Sequence, residues 1–302
     1  MRIKLLTALV IFILFLMPFL NFGQATNLGA ATPFALFTAA GAFNNLGASV
    51  IIGDIGTDVG AFSGFPPGIV VGQIHVADPV SAQAAIDVDM AYSFLAGITY
   101  DSVIGATLGN GQVLPPNVYC LGAASTVNGQ LILDGLGDPN AYFLFKIDGA
   151  LSTSVLSSVT LINSASLCNV YWQVNGAVAL GDGSVFRGTI IANGALSLLE
   201  ASTLQGRGLS RAGAISTHNN AVNVALEPTP SVITANGATT FCEGDSVTLS
   251  GNTEGVWSNG ATTESITVYT AGDYFVTNTN GCGSVNSNHI IVTVNPLPSA
   301  EA

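Results

Sequence analysis

Gly194-Ala195-Leu196-Ser197 is one of four stretches with a shared grammar, beside Gly149-Ala150-Leu151-Ser152, Gly176-Ala177-Val178-Ala179 and Gly213-Ala214-Ile215-Ser216. The first step between them is 27 residues and the next two are 18 and 19. A second motif advances in step: Ser184-Val185-Phe186-Arg187-Gly188 and Ser202-Thr203-Leu204-Gln205-Gly206 lie 18 apart. Near the N-terminus, Ser49-Val50-Ile51-Ile52-Gly53 and Gly68-Ile69-Val70-Val71-Gly72 place their last glycines 19 apart. Two motifs moving together at this period mark a solenoid. Eighteen residues at ~3.3 Å each trace about 60 Å, enough for three short strands and three corners. Glycines serve the corners, where φ is often positive. Val178, Leu180, Leu196 and Leu198 are expected to point inward. A sandwich of short antiparallel strands would alternate in the same way and is the competing arrangement.

One segment departs from the coil pattern. Asp78 to Gly97 reads as a helix, with Asp78 as N-cap, Pro79 in the first helical position and Gly97 at the C-terminal cap. Ala82, Ile86, Met90 and Phe94 recur every four residues as an apolar stripe, expected to be buried along one side of the solenoid.

The composition limits the function classes. Only 8% of the 302 residues are charged, 35 are Gly and the net charge is −12. Arg2 and Lys4 sit at the extreme N-terminus; without them, four basic residues face 18 acidic ones. No basic stripe is left to neutralise phosphates, so nucleic acid and anionic membrane surfaces are poor partners. Residues 1–25 read as a cleaved signal peptide: a positive start, sixteen uncharged residues from Leu5 to Leu20 interrupted by Pro18, then Gly23 and Ala25. A secreted or cell-surface protein is therefore expected, with no membrane insertion after cleavage.

The four cysteines fit an oxidising compartment. Cys242–Cys282 is the stronger pair; Cys120 and Cys168 either pair or stay as buried thiols. No C-x-x-C motif occurs and only three histidines exist, so no metal site is expected.

Glu227 to Ser231, with two prolines, reads as a linker, and 296–302 as a linker or truncated tail. Between them, 232–295 alternates in strand fashion, with Trp257 as a core plug. Phe241-Cys242-Glu243-Gly244-Asp245-Ser246-Val247-Thr248-Leu249 and Ala271-Gly272-Asp273-Tyr274-Phe275-Val276-Thr277 resemble bacterial immunoglobulin-like repeats.

The region 26–226 carries a second resemblance. The early helix, Ala141-Tyr142-Phe143-Leu144-Phe145-Lys146-Ile147, Cys168-Asn169-Val170-Tyr171-Trp172-Gln173-Val174 and Arg187-Gly188-Thr189-Ile190-Ile191-Ala192 together resemble the microbial ice-binding-like (antifreeze) family. Asp134 to Asn140 and Gly206 to Leu209 match its pattern as well. The resemblance implies a mainly β protein: a discontinuous right-handed three-sided β-solenoid with one long helix alongside, here followed by a small immunoglobulin-like sandwich. It also implies adsorption to ice through one flat, helix-free face. Active members often carry Thr-(Ala/Gly)-x-(Thr/Asn) at a coil corner, where this chain reads Asp182-Gly183-Ser184-Val185 and Glu200-Ala201-Ser202-Thr203. Acidic residues in both leading positions speak against that corner as an ice contact. The candidate contacts are instead Thr126, Asn128, Ser152, Thr153, Ser197, Thr203, Ser216 and Thr217.

An enzyme is the weaker reading. Asp134, Asp138, Asp148, Asp182 and Glu200, with Lys146, Arg187, Arg207 and Arg211, assemble into no nucleophile–base–acid set, and no cofactor is expected. Asp134 and Asp138 flank glycines and Pro139 as turn residues do. The serious alternative is a cell-surface adhesin or structural protein that binds glycan or another cell.

Overall fold

A computed structural model describes residues 26–224, 228–280 and 282–297. The expected leader, 1–25, lies outside the described residues, as do Glu227 of the linker and 298–302 of the tail. The protein is mainly β, with parallel sheets and one long helix.

The 18-residue period reappears as strand register. Val185 pairs with Thr203, Gly188 with Gly206 and Ala192 with Ser210, all in parallel. Val178, Ala179 and Leu180 pair with Leu196, Ser197 and Leu198 in the same sense. Parallel pairing throughout both large sheets removes the antiparallel sandwich as an arrangement for this region. Each period contributes three runs. In one of them, Val185–Arg187 and Thr189–Ala192 join different parts of a 15-stranded sheet, and Leu196–Leu198 joins an eight-stranded one. The chain bends between the first two runs at Gly188 (φ 110°) and, one period on, at Gly206 (φ 135°). A Cβ on Gly206 would lie 2.0 Å from the Gly188 carbonyl oxygen, so stacked corners exclude any side chain there.

Inside the runs, side chains stack from one period to the next. Tyr119, Phe145, Trp172 and Phe186 form a column with ring centroids 5.2, 4.1 and 4.8 Å apart. Trp172 is fully buried and its Nε1 donates to the Arg187 carbonyl at 3.0 Å. Val178, Leu180, Leu196 and Leu198 are buried as expected.

The stacking order is not the chain order. Along the eight-stranded sheet the strands run Phe62–Ser63, Phe43–Leu46, Ile215–His218, Leu196–Leu198, Val178–Leu180, Leu151–Thr153, Ser125–Asn128 and Thr107–Gly109. The N-terminal periods thus sit against the C-terminal one, and the chain must travel the length of the stack between Val76 and Ser102. The helix Pro79–Gly97 makes that journey. Its 19 residues cover about 28 Å at ~1.5 Å each. Through the 15-stranded sheet, the eight inter-strand steps of ~4.8 Å from Ile74–Val76 to Ser102–Val103 come to about 38 Å, and residues 98–101 supply the rest.

Asp78 caps the helix as expected: its Oδ1 accepts from the Ser81 backbone N–H at 2.7 Å, and Ser81 Oγ answers the Asp78 N–H. Gly97 is the last helical residue, and Ile98 takes the C-cap. The buried face is not the expected one. Ile86, Met90 and Phe94 are exposed, as is Ala82, while Ala84, Val88, Ala91, Tyr92 and Leu95 pack on Phe34, Phe37, Leu144, Tyr171, Ile191 and Leu209. Ala84, Val88, Ala91 and Leu95 follow one another at steps of four, three and four and so share the face turned to the sheet, which Ile86, Met90 and Phe94 lie outside. Asp87 turns inward too, because its carboxylate accepts from the Ala30 N–H and Gln83 Nε2.

Three small three-stranded sheets follow. Val247–Ser250 pairs antiparallel with Thr234–Ala235 and Ser265–Val268; Ile290–Asn295 pairs with Thr240–Cys242 and Gly272–Tyr274; Val276–Asn280 pairs with Val256–Trp257 and Gly283–Asn286. Trp257 fills their shared core with Leu249, Val276 and Val292, as expected of it.

The disulfide differs from both expected pairs. Cys168 bonds Cys282, leaving Cys120 and Cys242 as thiols. Cys242 lies on a strand paired to Asn295, whereas Cys282 sits beyond the end of Val276–Asn280 in a different sheet. Cys120 is held mid-strand between Val103 and Lys146, while Cys168 occupies a turn ahead of Val170–Val174.

Candidate functional site

The helix covers the part of the 15-stranded sheet that contains Thr189–Ala192. Two surfaces remain open, the outer face of the eight-stranded sheet and that of the runs aligned with Val185–Arg187.

The eight-stranded sheet presents files of matching residues. Its central outward file runs Ser63, Asn44, Ser216, Ser197, Ala179, Ser152, Thr126, Thr107 by direct register. Beside it, one residue before each strand from Phe62–Ser63 to Ser125–Asn128, lies a second file: Ala61, Ala42, Ala214, Ala195, Ala177, Ala150 and Ala124. Their carbonyls or amides continue the same ladder, as in Phe43 N to Ala61 O at 2.7 Å and Leu196 N to Ala214 O at 3.0 Å. Six of these alanines follow a glycine that stacking forces; a Cβ on Gly213 would lie 2.3 Å from the Ala195 nitrogen. Neither file contains a charged residue.

Of the expected contacts, the structure brings Thr126, Ser152, Ser197 and Ser216 into the central file. Asn128 lies two residues beyond Thr126 on the same strand, where Ser154 Oγ donates to its side-chain oxygen. Thr203 belongs to the other open surface. Thr153 and Thr217 are buried and are corrected as surface contacts: Thr153 Oγ1 accepts from Gly181 N at 2.8 Å, and Thr217 Oγ1 donates to Asn45 Oδ1 at 2.7 Å. Alternation along a strand turns them inward. Thr107, Ala179, Asn44, Ser63 and the alanine file went unread in the sequence, although Gly41-Ala42-Phe43-Asn44 and Gly60-Ala61-Phe62-Ser63 repeat the Gly-Ala motif.

Asp182 and Glu200 border this face at the corner leading to the other surface. Glu200 is held by His218 Nδ1 at 3.0 Å and Asn219 Nδ2 at 2.9 Å. With Leu46, Leu199 and Ser216 they line a shallow corner hollow. Among the described residues, no group of three His, Cys, Asp or Glu side chains is placed to hold a metal ion.

The second open surface has a different chemistry. Arg187 stands in it, its Nε donating to Gln205 Oε1 at 2.8 Å, and partial burial lowers its pKa. Towards one end Val50, Ile52, Ile69 and Val71 are exposed.

The perturbed tyrosines are structural. Burial pushes Tyr119 up to about 12, and its hydroxyl donates to the Pro115 carbonyl at 2.7 Å. Burial likewise raises Tyr142, beside Tyr171 under the helix. No described helix is long and apolar enough to cross a membrane.

These features have counterparts in known proteins. The ice-binding-like family model matches residues 37–223. An ice-binding protein of Nostoc sp. (strain HG1) is 37% identical over 206 residues, covering 67% of this chain and 76% of that one. The crystal structure of an ice-binding protein from the Antarctic ascomycete Antarctomyces psychrotrophicus superposes with a TM-score of 0.65 at 34% identity, over 68% of this chain and all of that one. One from an Antarctic Flavobacteriaceae bacterium gives a TM-score of 0.66 at 40% identity, over 68% of this chain and half of that one. With its stacked parallel registers, its helix and this breadth of match, the chain belongs to the ice-binding-like family.

Proposed function

We propose that this protein adsorbs to ice through the outer face of its eight-stranded sheet, and that it acts as a secreted antifreeze or recrystallisation-inhibiting protein. In this reading the three runs of each period close into a right-handed three-sided solenoid over 26–226. Residues 1–25 are a leader removed on export, 227–231 a linker and 232–295 an immunoglobulin-like sandwich.

One observation carries the assignment: an unbroken file of alanine methyls runs beside a file of small, mostly hydroxyl-bearing residues, with no charge in either. Parallel strands repeat at ~4.8 Å, so methyls and hydroxyls recur at a fixed spacing along the solenoid. Water over a methyl keeps its hydrogen bonds to other water, and a serine or threonine hydroxyl can join that network as donor and acceptor. A lysine or carboxylate would impose its own hydration shell. The Arg187 surface lacks these properties.

The test is thermal hysteresis and ice-crystal shaping by the purified protein at micromolar concentration. Faceted crystals and suppressed recrystallisation are expected; growth identical to buffer rejects the proposal. An adhesive role draws its support from the C-terminal sheets, which would carry the solenoid as part of a surface protein. Glycan-array binding without ice shaping would select it.

A further inference from the structure

We infer that the Cys168–Cys282 disulfide is a latch that fixes the C-terminal sheets at the solenoid edge farthest from the candidate ice face. The inference rests on the three-sided reading and the face assigned above.

The edge follows from chain order. In each period the runs pass from the surface aligned with Val185–Arg187 to the helix-covered one, then to the eight-stranded sheet. The junction between the first two is therefore the one that does not border that sheet. In the two periods that follow, this junction is a single bend, at Gly188 or Gly206, inside a continuous strand. In the period containing Cys168 it is a loop, 163–169, between Ser158–Ile162 and Val170–Val174. This loop accounts for much of the long 27-residue step from Gly149 to Gly176.

The loop is built as a mount. Asn163 Nδ2 donates to Asp134 Oδ1 at 2.9 Å and Asn169 Nδ2 to the Pro139 carbonyl at 3.2 Å, tying it to the corresponding loop of the preceding period. Ser166 Oγ donates to the Cys282 carbonyl at 2.8 Å and accepts from the Cys168 N–H. Both cysteines are buried, with Leu167 packed against them. The C-terminal sheets are thus joined to the solenoid twice, through the chain after Val224 and through Cys168. A single tether would let them swing; two attachments hold them to one side and leave the ice face uncovered.

The experiment uses the full chain with a site-specific protease sequence inserted between Glu227 and Pro228. After cleavage, the two pieces should migrate together without reductant and separate with dithiothreitol, and peptide mapping should recover a Cys168–Cys282 cross-link. Separation without reductant, or a Cys242–Cys282 cross-link, overturns the latch. Hysteresis then tests its position. The intact chain should match, within twofold, the solenoid piece released by cleavage and reduction. An active released piece with a silent intact chain places the C-terminal sheets over the face and overturns the proposed geometry. Should both be silent while the cross-link is found, the ice reading fails and the covalent latch stands.

Discussion

Arg211 donates its Nε to Asp89 Oδ1 at 2.8 Å and lays its guanidinium 4.4 Å above the Tyr92 ring, joining the end of a sheet strand to the middle of the helix. Two of the other three described basic residues secure the same side. Lys146 Nζ donates to the Ala96 and Ile98 carbonyls at the helix C-terminus, and Arg207 Nε to the Thr32 carbonyl at 2.9 Å. Three of the four described lysine and arginine residues thus fasten the covered side of the solenoid, and the candidate ice face has none.

Arg211→Ala should loosen the helix without touching that face. The ion pair is partly exposed and contributes roughly 0.2–1 kcal/mol. The ring contact adds about 0.5–1 kcal/mol. A loss near 1 kcal/mol in urea unfolding is expected, with hysteresis per folded molecule unchanged. A fall in hysteresis at unchanged stability would move the ice contact to the helix side.

Bulk on the alanine and serine files should abolish the fit to a flat lattice. Ser197→Tyr and Ala177→Tyr are expected to lower thermal hysteresis by roughly half or more, since adsorption depends on shape complementarity. Thr160→Tyr, on the Arg187 surface, should leave it intact. Circular dichroism and melting temperature confirm that all three fold. The reverse pattern would place ice on the other surface.

Acid should weaken the helix start. Asp78 has its pKa lowered by the hydrogen bond from the Ser81 backbone and by His75, whose Nδ1 lies 2.8 Å from its carboxylate. A carboxyl with a folded pKa below its unfolded one stabilises fully above the unfolded value. That contribution fades as pH falls through the folded value. Urea midpoints should therefore drop below about pH 4. Asp78→Asn, which still caps but cannot ionise, should show a shallower decline. Parallel profiles would exclude Asp78 as a contributor.

Trp172 occupies the centre of the stacked column. Trp172→Ala removes the ring between Phe145 and Phe186 and orphans the Arg187 carbonyl, at a cost of about 3–5 kcal/mol. Chemical denaturation measures it; a loss under 1 kcal/mol would mean that neighbouring periods collapse into the space.

Periodicity was legible because each period meets the next through the same corners. The Gly-Ala and Ser-Val-Phe motifs predicted the spacing, and Val178, Leu180, Leu196 and Leu198 were readable as core, whereas the parallel pairing was decided by the structure, because antiparallel strands alternate in the same way. The helix was legible by its cap. Its buried face was not, because Ile86, Met90 and Phe94 recur as regularly as Ala84, Val88, Ala91 and Leu95, and only docking on the sheet selects between the two stripes. The serines and threonines were half legible: Ser152 and Thr153 are neighbours of similar type, and only strand phase turns one outward and the other in.

Local chemistry along the chain was sufficient to determine a charge-poor coil of 18–19 residues with one capped helix, because strand alternation, corner glycines and capping are short-range. Tertiary structure decided the stacking order, which places the N-terminal periods against the last one. It also decided the partner of Cys168 and the alignment of small residues from eight distant strands into one surface. Those outcomes depend on which segments meet across the stack, and no local pattern contains that information.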